Sequence, residues 1–173
     1  MEVTVRGAMR HIALVAAVVV MTSAIGTPAV GAHQAAASSA RTPVVLFMCP
    51  HGAAKSLMAS AYFQKLAKER GLNVRVDSAG TDPDPQLAPA VVAHLQKQGY
   101  AIPIDKPRKA TAADMSSADV VISMGCDLSG LPAPRGVLKK WDVPDLSAGF
   151  DRADQAIRAQ VLALVEELAA RPK

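Results

Sequence analysis

The sequence has few aromatics, few cysteines and no block of like charge. Only 3% of its 173 residues are aromatic, although half are hydrophobic. Cysteine occurs twice, as Cys49 and Cys126. A single bridge between them is not the framework that staples small secreted domains. The two cysteines and four histidines follow no metal-ligand spacing, so no metal site is expected. The formal charge is +4 without a long Lys/Arg stripe, which argues against nucleic acid as a partner and suits a small anion. Lys106-Pro107-Arg108-Lys109 and Lys139-Lys140 are short clusters that read as solvated surface. No internal repeat is visible, and the length fits one domain.

The N-terminus reads as a targeting segment. Arg6, Arg10 and His11 precede an apolar run from Ile12 to Val20, which weakens towards Ile25. Val30-Gly31-Ala32 supplies small residues for cleavage before His33. A membrane span needs about 20 apolar residues, and Thr22, Ser23, Gly26 and Pro28 dilute this one. Residues 1–32 are therefore expected to be a secretory signal, with an uncleaved anchor as the second reading. Residues 33–42, rich in Ala and Ser, read as a flexible leader, and 43–173 as the folded domain. The expected location is periplasmic or secreted, with no stable membrane partner after cleavage.

Within the folded part, Pro43 to Met48 is a continuous apolar run with β-branched residues, the pattern of a strand buried on both faces. Ser56 to Arg70 is predicted helical and stops at Gly71; Pro89 to Gln98 is a second helix, stopped by Gly99. Asn73 to Asp77 alternates like a short strand, and Ser78 to Pro83 reads as a turn. Thr111 with Asp114 is a capping-box pair opening a short helix. Asp119 to Met124 reads as another buried strand, Leu131 to Gly136 as loop, and Val137 to Trp141 as an edge strand. Ile157, Val161, Leu164, Val165 and Leu168 form one apolar face of a helix over Asp151 to Ala170. This alternation predicts an α/β domain with a mostly parallel sheet and helices on both faces. Ligands of such sheets bind beyond the carboxyl ends of the strands. Cys49, Cys126 and the Asp142 to Asp145 segment all fall at such ends.

The segment Cys49-Pro50-His51-Gly52-Ala53-Ala54-Lys55-Ser56 delivers a thiol from a strand into a small-residue loop that opens a helix. Gly52, Ala53 and Ala54 let the backbone curl closely around a ligand. The free N–H groups and dipole of the helix start favour an oxyanion, and equally a thiolate. Lys55 adds a positive charge and Ser56 a hydroxyl for the sulfur. Buried cysteines are common as plain packing residues; the strand–loop–helix context favours a nucleophile here. Asp142 and Asp145 read by themselves as turn residues, and Cys126 reads equally as a structural or a resolving thiol. Trp141 reads as core, the methionines as filler, and His94 as a packing or surface residue.

Cys-x5-Lys-Ser followed by Leu57-Met58-Ala59 resembles the Cys-x5-Arg-Ser loop of the low-molecular-weight protein tyrosine phosphatase superfamily, and most resembles its thiol-dependent arsenate reductases. Val76 to Thr81, Asp119 to Cys126 and Trp141 to Asp145 resemble further family segments in the same order. The resemblance implies a small four-stranded, mostly parallel sheet of the phosphotyrosine phosphatase I-like type. It implies that Cys49 attacks phosphorus or arsenic and that amides from His51 to Ser56 hold the oxygens. It implies that Ser56 steadies the thiolate, that Asp145 protonates the leaving oxygen, and that Cys126 forms a disulfide with Cys49 in the reductase branch. No cofactor is implied beyond an external thiol reductant. The partners are a phosphate or arsenate oxyanion or a phosphorylated substrate, and for a reductase a thiol–disulfide reductant. The sequence departs from the family in three places. Lysine replaces the loop arginine, losing its planar fork; no further cysteine follows in Asp127 to Pro132; and Asp145-Leu146 stands for the usual Asp-Pro. The stretch after Asp145 is poor in aromatics, which favours a small inorganic oxyanion over a phenyl ester. A phosphomonoester hydrolase and a catalytically weakened anion-binding homologue are the competing readings.

Overall fold

A computed structural model describes residues 41–171. The expected signal segment, and the expected leader up to residue 40, lie outside the described residues. Strand β1 (Val44–Cys49) is buried along its whole length, as a continuous apolar run requires. It lies inside the sheet, flanked by β2 (Arg75–Gly80) on one side and by β3 (Val120–Ser123) then β4 (Val137–Lys140) on the other. All three pairings are parallel. Helix α1 (Lys55–Glu69) links β1 to β2. Helices α2 (Pro89–Lys97) and α3 (Ala112–Ser117) lie between β2 and β3, and α4 (Phe150–Ala169) closes the fold.

Alternation along β1 divides the core. Val45, Phe47 and Cys49 face a cluster that includes Leu57 and Met58 of α1, Leu95 of α2, and Ile157, Val161 and Val165 of α4. Val44, Leu46 and Met48 face a smaller cluster with Ala79, Ala110, Met115 and Val121. Phe47 sits centrally, its ring 5.5 Å from Phe63 and 5.7 Å from Trp141. The expected α/β class, with a parallel sheet and apolar packing on both faces, is the fold observed.

Polar ties fix the ends. The Asp119 carboxylate accepts the Val44 N–H at 2.8 Å and pairs with Arg41 and Arg135, pinning the start of β1 beside β3. Thr111 and Asp114 make the capping box that opens α3, and Arg108 grips Asp114 with two bonds of 2.8 and 2.9 Å. His94 is neither simple core nor simple surface. It lies 3.2 Å from the Tyr62 hydroxyl, which donates to Asp154, while Arg158 bonds Asp154, Tyr62 and Tyr100. This cluster joins α1, α2 and α4 and takes up both tyrosines. Burial and the Asp154 carboxylate push the Tyr62 phenol far above its ordinary value, so it stays neutral.

Both expected boundaries of β2 are corrected. Ser78 to Gly80 belongs to β2 rather than to a turn: Phe47, Met48 and Cys49 pair with Ser78, Ala79 and Gly80. Backbone pairing to the central strand outweighs the turn preference of these small residues. The strand also begins two residues later than the sequence pattern predicts, at Arg75. Among the described residues, no helix is long and apolar enough to cross a membrane. Ile157 of α4 is fully buried against the sheet. Ile157→Ala is expected to lower unfolding free energy by about 2–5 kcal/mol, measured by urea titration with an unchanged m value.

Candidate active site

Cys49 is the last residue of β1 and is 3% exposed. The loop after it turns back at once, with the Gly52 N–H donating to the Cys49 carbonyl at 3.3 Å. Its next carbonyls point outward and are satisfied there. The Pro50, His51 and Ala53 oxygens accept from the amides of Asp82 (2.8 Å), Asp84 (3.0 Å) and Ala88 (3.1 Å). A peptide whose carbonyl is anchored outward turns its N–H the other way. Among the described residues, the amides of His51, Ala53, Ala54 and Lys55 meet no acceptor. Ala54 precedes α1 and offers no capping oxygen, so the first amides of the helix stay free. The result is a ring of donors at a helix start, the environment that holds an oxyanion. The sulfur itself is held by Ser56, whose N–H lies 3.5 Å and whose hydroxyl lies 3.2 Å from Cys49 Sγ.

Two glycines make this turn. Gly52 has φ +63° and sits against the Ala79–Gly80 backbone. A Cβ on Gly80 would lie 2.6 Å from the Gly52 nitrogen and 2.7 Å from the Pro50 oxygen. The end of β2 thus supports the loop from below, a role for Gly80 that the sequence pattern alone did not reveal. The only sequence signal was a run of small residues, and it read as a turn.

The remaining expected residues converge unevenly. Lys55 Nζ donates to Asp145 Oδ1 at 3.2 Å, with the lysine side chain 13% exposed and the aspartate 78%. Asp145 therefore does reach the loop, from 90 residues away along the chain, while Asp142 is exposed and lends only its carbonyl, to Gln160. His51 is exposed and lies beside Asp84, where it shapes the rim. Cys126 leaves the neighbouring strand: the Met124 N–H bonds the Met48 carbonyl at 2.9 Å, and Gly125 with φ +83° turns the chain before Cys126. Both cysteines are free thiols, Cys49 buried and Cys126 half-buried. Burial pushes the Cys126 thiol up; a hydrogen bond with Ser123 opposes this, Cys49 adds to it, and Lys55 draws it back. The two sulfurs and the loop lysine thus lie within electrostatic reach of one another. No group of His, Cys, Asp or Glu side chains among the described residues could hold a metal ion.

A family model, the low molecular weight phosphotyrosine protein phosphatase, matches residues 44–131, just over half of the chain. The chain belongs to that family. The match runs from β1 through the loop, β2 and β3 to Leu131, and so takes in Cys49, Lys55, Ser56 and Cys126. A Bacillus subtilis relative, a protein-arginine-phosphatase, is 35% identical over 83 residues, covering 46% of this chain and 54% of its own. A Halobacterium salinarum relative whose name refers to an arsenate reductase is 27% identical over 101 residues, covering 57% of this chain and 71% of its own. The structure of a thioredoxin-dependent arsenate reductase from Corynebacterium glutamicum superposes with a TM-score of 0.64 at 28% identity, over 75% of this chain and 63% of that one. This chain therefore spans under two thirds of the Corynebacterium glutamicum protein and about half of the Bacillus subtilis one. Family members thus include both phosphatases and arsenate reductases.

Two outcomes follow from the geometry. Gly80→Ala forces a Cβ into backbone and should cost about 1–3 kcal/mol. It should also abolish the rise in melting temperature that saturating inorganic phosphate gives the parent chain, read by thermal unfolding with and without phosphate. Alkylation of Cys126 in a Cys49→Ser chain should rise with pH later than for a free thiol, because burial keeps the proton on; Lys55→Gln should delay it further by removing a stabilising charge. A profile matching free cysteine would contradict the environment described for Cys126.

Proposed function

We propose that the domain is a cysteine-nucleophile oxyanion enzyme of the arsenate reductase kind. The carrying observation is the pair of thiols at the ends of adjacent parallel strands, one set in a ring of free amides and the other electrostatically coupled to it. In this reading Cys49 sulfur attacks arsenic while the loop amides and Lys55 bear the oxyanion charge. Asp145 protonates the oxygen that leaves as water. Cys126, as thiolate, then attacks Cys49 sulfur. The S–As bond breaks, its electron pair stays on arsenic, and arsenite departs, leaving a Cys49–Cys126 disulfide that an external thiol must reduce. Burial raises the proton affinity of the Cys126 thiol, and the Lys55 ammonium opposes this and so favours the thiolate that attacks.

The rim around Asp145 supports a small substrate. Leu146 to Ala148 form a short 3-10 turn after the acid, and both tyrosines are committed to the α1–α2–α4 polar cluster, so neither supplies a stacking wall. A second reading, a phosphomonoester hydrolase, is favoured by the contact between Lys55 and Asp145 and by the relationship to a protein-arginine-phosphatase. It needs Cys49, the loop and Asp145 but not Cys126. Export through the segment 1–32, and a domain beginning near residue 43, are part of the proposal and rest on the sequence pattern.

Arsenite release with a thiol reductant and hydrolysis of an aryl phosphate, each measured on parent, Cys49→Ser and Cys126→Ala chains, separate the two. Cys49→Ser should abolish both activities. Cys126→Ala should remove arsenite turnover to background while sparing aryl-phosphate hydrolysis within about twofold, since removing a half-buried group outside the cradle changes little there. Arsenate reduction by Cys126→Ala at the parent rate would refute the resolving role.

A further inference from the structure

A cleft of about 600 Å³ opens at the carboxyl ends of β2 and β3, lined among others by Asp82, Lys109, Ala110, Thr111, Asp127 and Leu131. None of its lining residues belongs to the Cys49–Ser56 loop, and Asp145 is not among them. Cys126 immediately precedes the wall formed from Asp127 to Leu131, and it packs against the same small core cluster as Ala110 and Leu131. Cys126 is thus electrostatically coupled to Cys49 and Lys55 of the oxyanion loop and joins directly onto the wall of this cleft. The volume is that of a small-molecule site.

The lining has a definite chemistry. Lys109 offers an ammonium that forms no ion pair among the described residues, and the Asp82 carboxylate likewise has no charged partner there. Asp127 is held ionised by the Ser129 N–H at 2.9 Å and hydroxyl at 3.1 Å. Ala110 and Leu131 give an apolar floor. A positive and two negative groups around one small apolar-floored cleft match a ligand with both a carboxylate and an ammonium. The segment from Asp127 to Pro132 carries no third cysteine to relay a disulfide outward. Reduction then has to reach Cys126, which is itself only half exposed.

We propose that this cleft binds a small peptide thiol, carrying a free carboxylate and an ammonium group, that reduces the Cys49–Cys126 disulfide by attack on Cys126. The inference rests on the reductase reading. The thiolate of the first peptide forms a bond to Cys126 sulfur, and the Cys49–Cys126 bond breaks, returning Cys49 as thiolate. A second peptide thiolate attacks the sulfur of the bound peptide. The peptide disulfide leaves, Cys126 recovers its electron pair and takes a proton, and two peptide thiols have supplied the two electrons that arsenate consumed.

The reverse exchange tests the site with full-length Cys49→Ser chain, in which Cys126 is the sole thiol. Glutathione disulfide should convert Cys126 to the mixed disulfide with a rate that saturates, followed by intact-protein mass spectrometry. Bis(2-hydroxyethyl) disulfide, which lacks both charged groups, should give a rate linear in concentration. Adding Lys109→Glu should raise the half-saturating glutathione disulfide concentration about fivefold, the scale of one exposed charge pair, and leave the uncharged reagent unaffected. Asp82→Asn should act in the same direction, so the site remains testable if one variant folds poorly. A linear glutathione disulfide rate, unchanged by either variant, overturns the cleft; if parent chain nevertheless releases arsenite with a protein dithiol, the reductase reading survives. Saturable, Lys109-dependent exchange without arsenite release from parent chain, under any thiol, supports the cleft as a peptide-thiol site and sinks the reductase reading instead.

Discussion

The loop after β1 works because its peptide planes are turned by bonds made outside it. Three carbonyls are drawn outward to the amides of Asp82, Asp84 and Ala88; the Gly52 N–H closes back on the Cys49 carbonyl, and the amides of His51, Ala53, Ala54 and Lys55 are left without an acceptor among the described residues. Those donors carry no neutralising partner of their own, and in water each would be solvated. Held together at the start of α1, they form a site whose polarity is already aligned before a ligand arrives, the condition under which electrostatic stabilisation costs no reorganisation. The approach of Gly52 to Gly80 permits this, because a side chain on either would push the β2 end away and release the outward carbonyls. Parallel pairing of β1 with β2 right up to Cys49–Gly80 is what brings the two glycines into contact.

Lys55 is the charged member of the site and already has a partner. Its ammonium is nearly enclosed, yet its partner Asp145 is largely exposed. An exposed pair of this kind contributes about 0–1 kcal/mol, so an incoming oxyanion of higher charge, sitting in the cradle, competes for the ammonium with ease. Arginine could bind an oxyanion through two N–H groups and still present others to an acid; lysine has one compact centre. The same ammonium therefore serves the ligand or the acid, and chemistry that depends less on a well-aligned acid suffers less from the exchange.

Much of this was legible in the chain. The apolar run of β1 was unmistakably a doubly buried strand, the small residues after Cys49 a close-approach loop, and Thr111 with Asp114 a helix start. The pieces that escaped notice are those set by contacts distant in sequence. Ser78 to Gly80 has turn-like composition, and only its pairing with Phe47 to Cys49 makes it strand. Local pattern reads Asp145 as a turn aspartate; only the family resemblance brings it to the site, and its contact with Lys55 is what the structure adds. His94 carried no local signal of its tie to Tyr62 and Asp154, since the three lie on different helices. Local pattern reports period and punctuation; it does not report which side chains a parallel sheet brings to one edge.

That edge also bears on how one family includes both phosphatases and arsenate reductases. Hydrolysis of a Cys49 adduct needs water at the central atom, so the cradle must open above it. Reduction needs a second sulfur approaching Cys49 from behind the bond to be broken, and β3, hydrogen-bonded to β1 as far as Met124, is the strand placed to supply one. In the proposed reaction a single cysteine just past the end of β3 adds the redox step without altering the loop. Its surroundings then set its timing. Burial keeps the Cys126 proton on at rest, and Lys55 eases its removal. In the proposed reaction the ammonium that meets the oxyanion also lies close enough to Cys126 to favour its thiolate.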